Sequence, residues 1–289
     1  MSLFDSIVGV PSSVISITSN STFLYLFIFF ISIVLFLGIR YLLMLRVERS
    51  KNEPVLIDEP VHIQNIERPF SGELLKPSLQ GNGQAYSFWI YVHDWTHNYG
   101  KPKCVFYRGA QGIQEYGAAN PCVYLYPNEN KLMVRVSTLP PEDGVSFDPR
   151  LFPDLPRDEL GYTVVNPARL DSAKTWNSTF ACDINGIPLQ KWVHVVITQW
   201  GRNLDVYING KLKRSCILPG VPLNNRALLS ELHVGGKQTF NGHISRLQYF
   251  NRVLPAEEVY RLYTRGPHRT IATWESLKDQ FKLLFQIKV

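Results

Sequence analysis

The chain has 289 residues, enough for one large domain or two small ones, and 45% of them are apolar, a globular proportion. A net charge of +6 is modest, no basic run is interleaved with aromatics, and no zinc or helix-turn-helix spacing is present, so nucleic acid is excluded as a partner. The four cysteines, Cys104, Cys122, Cys182 and Cys216, form no CxxC pair and have no His at ligand spacing; they read as buried thiols or disulfides, with three pairings open.

Residues 1–21 are a short N-terminal segment without Lys or Arg. From Thr22 to Ile39, through Phe23, Phe29 and Leu35, no charge occurs. As a helix that run rises about 27 Å, close to the ~30 Å hydrocarbon core of a bilayer. Arg40 can snorkel, so the predicted transmembrane helix spans 22–45 and ends at Leu45. A cleaved signal fits poorly, because the basic residues follow the apolar run and no A-x-A-like site succeeds it. The N-terminal flank carries Asp5 and no positive charge, whereas Arg40, Arg46, Arg49 and Lys51 lie on the other side. The positive-inside rule then predicts a single-pass protein with a lumenal N-terminus and a cytosolic C-terminal domain. In that topology the cysteines are reduced by default and the sequon at Asn177 stays bare.

Residues 46–68 read as a polar linker punctuated by Pro54 and Pro60, holding one short edge strand. From 69 to 267 the pattern is that of an all-β sandwich or barrel, with short alternating runs between turn residues. Strands are predicted over 86–92, 104–107, 122–126, 131–136, 192–200, 204–208, 211–217, 232–236 and 242–250. Within 192–200, Val193, Val195 and Ile197 share one face, with Trp192, His194, Val196 and Trp200 on the other. Asn209-Gly210 is a strong hairpin signal. A strict two-residue turn there pairs Ile208 with Lys211 and sends Leu212 to the Tyr207 face; a bulge that keeps Leu212 with Ile208 is the expectation. The 138–180 stretch breaks the rhythm with Pro140, Pro141, Pro149, Pro153, Pro156 and Pro167, and a loop of that length points to function or an interface. Pro255 to Arg265 is a short C-terminal helix with Val259, Leu262 and Tyr263 on one face. The amphipathic tail, 268–289, places Trp274, Phe281 and Phe285 on one helical face, for docking on its own sandwich, a partner or a membrane surface.

The runs YSFWIYV (86–92), KWVHVVITQWGRNLDVYINGKL (191–212), LHVGG (232–236) and FNGHISRLQYFNRVLPAEEVYRLY (240–263) resemble the laminin-G-like, concanavalin A-like lectin/glucanase β-sandwich superfamily over residues 70–265. The resemblance implies a two-sheet antiparallel jelly roll. YLYPNENKLMVRV, IPLQKWVHV and YINGKLKRSCILPGVP look closer to membrane-anchored members encoded by large double-stranded DNA viruses.

Glycoside hydrolysis needs paired carboxylates, which on this fold the resemblance places on one strand as Glu-x-Asp-x-x-Glu; no strand here carries that pattern, and Glu115, Glu129 and Glu231 stand apart. There is no Gly-x-Ser-x-Gly and no local Cys/His signature, and His194 in its alternating strand reads as structural. The chain is therefore expected to be non-enzymatic and without a cofactor. Calcium is the one cation left open, since Asp143, Asp148, Asp154, Asp158 and Asp171 lie in the long loop, but at no calcium-loop spacing. Trp95, Tyr99 and Trp176 are candidates for stacking on sugars, and Trp176, Trp274, Phe281 and Phe285 for contacts with a partner. The function these readings give is a membrane-anchored structural protein, in its most specific form a minor capsid protein tethering a viral shell to an internal membrane in the virion, with lipid and capsid proteins as partners. The competing class is a lectin-like attachment protein with the sandwich outside the cell, binding carbohydrate.

Overall fold

The structure, a computed structural model, describes residues 12–66, 68–78, 81–109, 119–139, 182–218, 220–224, 231–236 and 238–268. Two compact units divide the chain, Met1–Lys51 and Asn52–Val289.

The first unit is helix α1, Ser12–Asn52. At 41 residues it rises about 60 Å. Thr22, Phe23, Phe29, Leu35, Ile39 and Leu45 all lie on it, and the apolar side chains from Phe23 to Leu45 are exposed. The part from Phe23 to Asn52 is long and apolar enough to cross a membrane. Arg40, Arg46 and Lys51 are exposed, and Arg49 lies in the same helix.

The second unit opens with three short strands, β1 (Val55–Ile57), β2 (Val61–His62) and β3 (Phe70–Ser71). Then come β4 (Gln84–Asp94), β5 (Lys103–Arg108), β6 (Cys122–Leu125), β7 (Lys131–Arg135), β8 (Thr138–Leu139) and β9 (Ile184–Asn185). β10 (Trp192–Trp200), β11 (Asn203–Ile208), β12 (Lys211–Ile217), β13 (Val221–Pro222), β14 (Glu231–Val234), β15 (Asn241–Phe250) and helix α2 (Ala256–Thr264) complete the described part. Two antiparallel sheets form a sandwich, one ordered β1-β15-β4-β10-β11-β12 with β2 also on β15, the other β3-β14-β5-β6-β7-β9. β8 pairs with β13.

Alternation builds the core. Phe88 and Ile90 of β4, Val193, Val195 and Ile197 of β10, and Leu204 and Val206 of β11 face inward from the first sheet. Phe106, Val123, Leu125, Leu132 and Val134 meet them from the second. Each such side chain contributes about 1.5–3 kcal/mol of burial. The opposite face of β10 is covered in part by α2, whose Val259 and Leu262 pack on Val196, Tyr207 and Phe250.

Two expectations about strands need correction. Residues 46–68 are a linker only in part: β1 pairs with β15, β2 does the same, and Ile63 is fully buried in the core. The apolar residues Ile57 and Ile63, spaced among polar ones, give too short a pattern to separate a strand from a connector. Second, Leu212 does not join the Ile208 face. Ile208 pairs with Lys211 and Tyr207 with Leu212, and the irregularity falls one step later, between Val206 and Tyr207 of β11. Asn209 and Gly210 both take positive φ, 50° and 77°, which fixes the tight turn. The Asn209 side chain accepts a hydrogen bond from the His194 amide at 2.9 Å, pinning that register. β12 is an edge strand with no core above Leu212, which is 54% exposed, so nothing rewards the alternative.

A disulfide joins Cys182 to Cys216, with Cα atoms 5.9 Å apart, while Cys104 and Cys122 are free and buried. Burial holds the Cys104 thiol up at about 12 and the Cys122 thiol well above its ordinary value, so both are inert. Four reduced cysteines, the default for a cytosolic domain, is thus not what the structure shows.

Candidate functional site

Three outward features of the sandwich carry polar chemistry. The first is a shallow pocket at one end, where Gln84 of β4, Gln199 of β10 and Asn120, ahead of β6, converge. Gln84 Nε2 donates to Asn120 Oδ1 at 2.9 Å and to Gln199 Oε1 at 3.1 Å, and Asn120 Nδ2 donates to the Leu223 carbonyl at 2.7 Å. Arg108, 5% exposed, lies behind them; its Nη2 donates to the Leu75 carbonyl at 3.0 Å, its guanidinium sits over the Tyr249 ring, and its Nε has no hydrogen-bond partner among the described residues. The cavity is about 20 Å³, room for about one water. The amides satisfy one another, so this end is a structural network more than a ligand seat.

The second feature is an imidazole-aromatic surface on the outer face of the first sheet. His93 and His243 are hydrogen-bonded at 3.1 Å, the His62 ring meets His243 edge-on at 5.1 Å, and Tyr91 and Trp192 complete the patch. Burial, then the neighbouring His62 and His93, lower the His243 pKa. Deeper on the same face, His194 is hydrogen-bonded through Nε2 to Ser87 Oγ at 2.9 Å and lies against Trp89. Burial lowers its pKa to about 3, so it is neutral and structural. An unfolded His binds its proton near pH 6.5 and the folded one does not, so stability is complete above that value and falls as pH drops from 6.5 toward 3. The expected slope is about 1.4 kcal/mol per pH unit. Urea unfolding of the wild type between pH 7 and 5 should show this loss, and His194→Gln should flatten it; parallel curves would contradict it.

The third is a pocket of about 170 Å³ between β1, β4, β15 and α2. Val55, Trp89 and Leu262 supply apolar wall, Ser87 and Gln248 neutral polar groups, and Arg246, Arg265 and Asp58 charges. Its size is comparable with the ~150 Å³ cavity that admits benzene. Trp89 is held by stacking on Tyr263 at 5.8 Å.

Among the described residues no group of three His, Cys, Asp or Glu is placed to hold a metal ion. Glu129 pairs with Lys131 and Glu231 with His233. Of the sugar-stacking candidates, Tyr99 is exposed, whereas Trp95 is half-buried beneath the Lys103 ammonium, 5.2 Å from its ring. Trp176, Trp274, Phe281 and Phe285, the five loop aspartates and Asn177 lie outside the described residues. The sequence reading missed the Arg108 network and the Arg246–Arg265 pocket, because their members come from strands and turns distant in the chain.

The strand order and the register place the second unit in the class of two-sheet antiparallel β sandwiches. Residues 160–260 match a family described as the concanavalin A-like lectin/glucanases superfamily. Among solved structures, the receptor-binding domain of botulinum neurotoxin C/D mosaic serotype is 14% identical, over 64% of this chain and 36% of that one, with a TM-score of 0.38. Trypanosoma rangeli sialidase is 14% identical, over 63% of this chain and 22% of that one, also at a TM-score of 0.38. This chain thus spans about a third of the toxin domain and less than a quarter of the sialidase. No curated protein matches it in sequence.

Proposed function

We propose that this is a membrane-anchored, non-catalytic interaction protein whose sandwich is held beside a bilayer by one helix. The carrying observation is α1: its side chains from Phe23 to Leu45 are exposed and apolar, a surface that water disfavours and lipid covers. The basic flank from Arg40 to Lys51 supports a cytosolic sandwich. In its most specific form, resting on the viral resemblance, the protein is a minor capsid component tethering a shell to an internal membrane, with capsid proteins and lipid as its partners. Detergent stripping of purified particles tests this: the tether remains with the shell, and its loss into the detergent phase alone contradicts it.

One observation favours a second reading. The Cys182–Cys216 disulfide suits an oxidising compartment, and so a lectin-like protein with the sandwich outside the cell. That reading requires a glycan on Asn177 and binding on a sugar array; the tether predicts neither, and takes its disulfide from a dedicated thiol oxidase of the kind large DNA viruses encode.

A further inference from the structure

We infer that the pocket between β1, β4, β15 and α2 is a binding site for a phosphate-bearing ligand. Two arginines line it from different elements, Arg246 from β15 and Arg265 from the end of α2. Arg246 sits where β15 bulges against β4, between Ser245 and Gln248, with φ of 48°. A non-glycine residue in that left-handed region is uncommon, and a bulge re-aims a side chain. Here it turns the arginine toward α2, where Nη1 donates to the carbonyls of Arg265 at 3.3 Å and Gly266 at 3.2 Å. Capping the helix accounts for that one nitrogen. A guanidinium has five N–H groups, and among the described residues nothing accepts from Nε or Nη2 of Arg246, or from the Arg265 side chain.

Nearby acids do not cancel this charge. Glu53 and Glu258 are both engaged by Arg252, at 2.7 and 2.8 Å. Among the described residues Asp58 is the one carboxylate lining the pocket, against two arginines. Paired, planar, always-charged donors favour phosphate oxygens, which they bind in bidentate fashion. The apolar wall of Trp89 and Leu262 suits the organic part of a phosphate ester.

The phosphate has two sources, a lipid headgroup or a soluble ester. Val55 stands three residues beyond Asn52, the last residue of α1, a contour of at most ~11 Å. The lipid source rests on the membrane reading above, while the phosphate chemistry does not.

The test uses the full chain in detergent, titrated calorimetrically with inorganic phosphate and with glycerol phosphate at constant ionic strength. Both should bind, and Arg265→Ala should weaken them about fivefold or more. Arg261→Ala, on the same helix but outside the pocket, should leave them unchanged. Because Arg265 makes no side-chain bond within the described protein, its loss should leave the melting temperature in phosphate-free buffer as it was. Wild-type binding no stronger than to chloride, or equal binding by Arg265→Ala, overturns the inference. In nanodiscs, wild-type stabilisation by phosphatidic acid over phosphatidylcholine, lost in Arg265→Ala, supports the site with a lipid as its source. Phosphate binding indifferent to lipid composition supports it with a soluble source.

Discussion

Replacing Cys182 and Cys216 together by alanine should destabilise the sandwich by about 3–4 kcal/mol. The two residues are 34 apart in sequence, and closing a loop of that length removes this much entropy from the unfolded chain. The bond also stitches two edges. Cys216 lies on β12, the last strand of one sheet, and Cys182 stands two residues before β9, the last strand of the other. Without it, the described link there is the hydrogen bond from Arg214 Nη1 to the Asp183 carbonyl at 2.9 Å. For a domain of this size the melting temperature should fall by about 8–15 °C. Differential scanning calorimetry of the full chain with and without the double substitution reads this directly. Alkylation of the unfolded wild type should label two thiols without reductant and four with it. Equal melting temperatures, or four labelled thiols at once, would contradict the bond.

Asp183→Ala should cost about as much, 3–5 kcal/mol, by a different mechanism. Arg135 is only 2% exposed, and its guanidinium is ion-paired with the Asp183 carboxylate. Tyr126 Oη closes the network, donating to Asp183 Oδ2 at 2.5 Å and accepting from Arg135 Nη2 at 3.3 Å. Burial first, then the Asp183 carboxylate, push the Tyr126 hydroxyl up to about 12, which keeps it a donor at any physiological pH. Removing the carboxylate leaves a buried cation unpaired; removing both charges does not. Arg135→Met with Asp183→Leu should therefore recover most of the loss, within about 1 kcal/mol of wild type. Urea unfolding of Arg135→Met, Asp183→Leu and the double variant completes a cycle, and a single Asp183→Ala within 1 kcal/mol of wild type would show that the pair is not held as described.

What was legible in the sequence was what local pattern encodes. Asn209-Gly210 announced its turn because both positions need positive φ, and α2 announced its buried face through Val259 and Leu262. The alternation of β10 announced which residues meet the core. The apolar run from Thr22 was legible from composition alone. What escaped depends on distant partners. The bulge after Asn209 was expected where hydrophobic matching favoured it, but Leu212 lies at an edge where burial offers nothing. The disulfide could not be chosen among three pairings. Arg135 and Asp183 are 48 residues apart, and Arg246 and Arg265 meet through a bulge that no spacing rule foretells. The aromatic residues expected to meet a partner, Trp176, Trp274, Phe281 and Phe285, fall outside the described residues, so the pocket at Arg246 now stands as the surface feature with the most specific chemistry.

The anchoring role proposed for α1 is tested most directly by alkaline extraction of membranes from cells expressing the full chain, followed by intact-mass measurement of the extracted and retained protein. The chain should stay with the membrane and retain the whole segment from residue 1 through Lys51. Release into the aqueous fraction, with a mass showing that the chain begins beyond the apolar run, would make that run a cleaved signal and contradict the anchor.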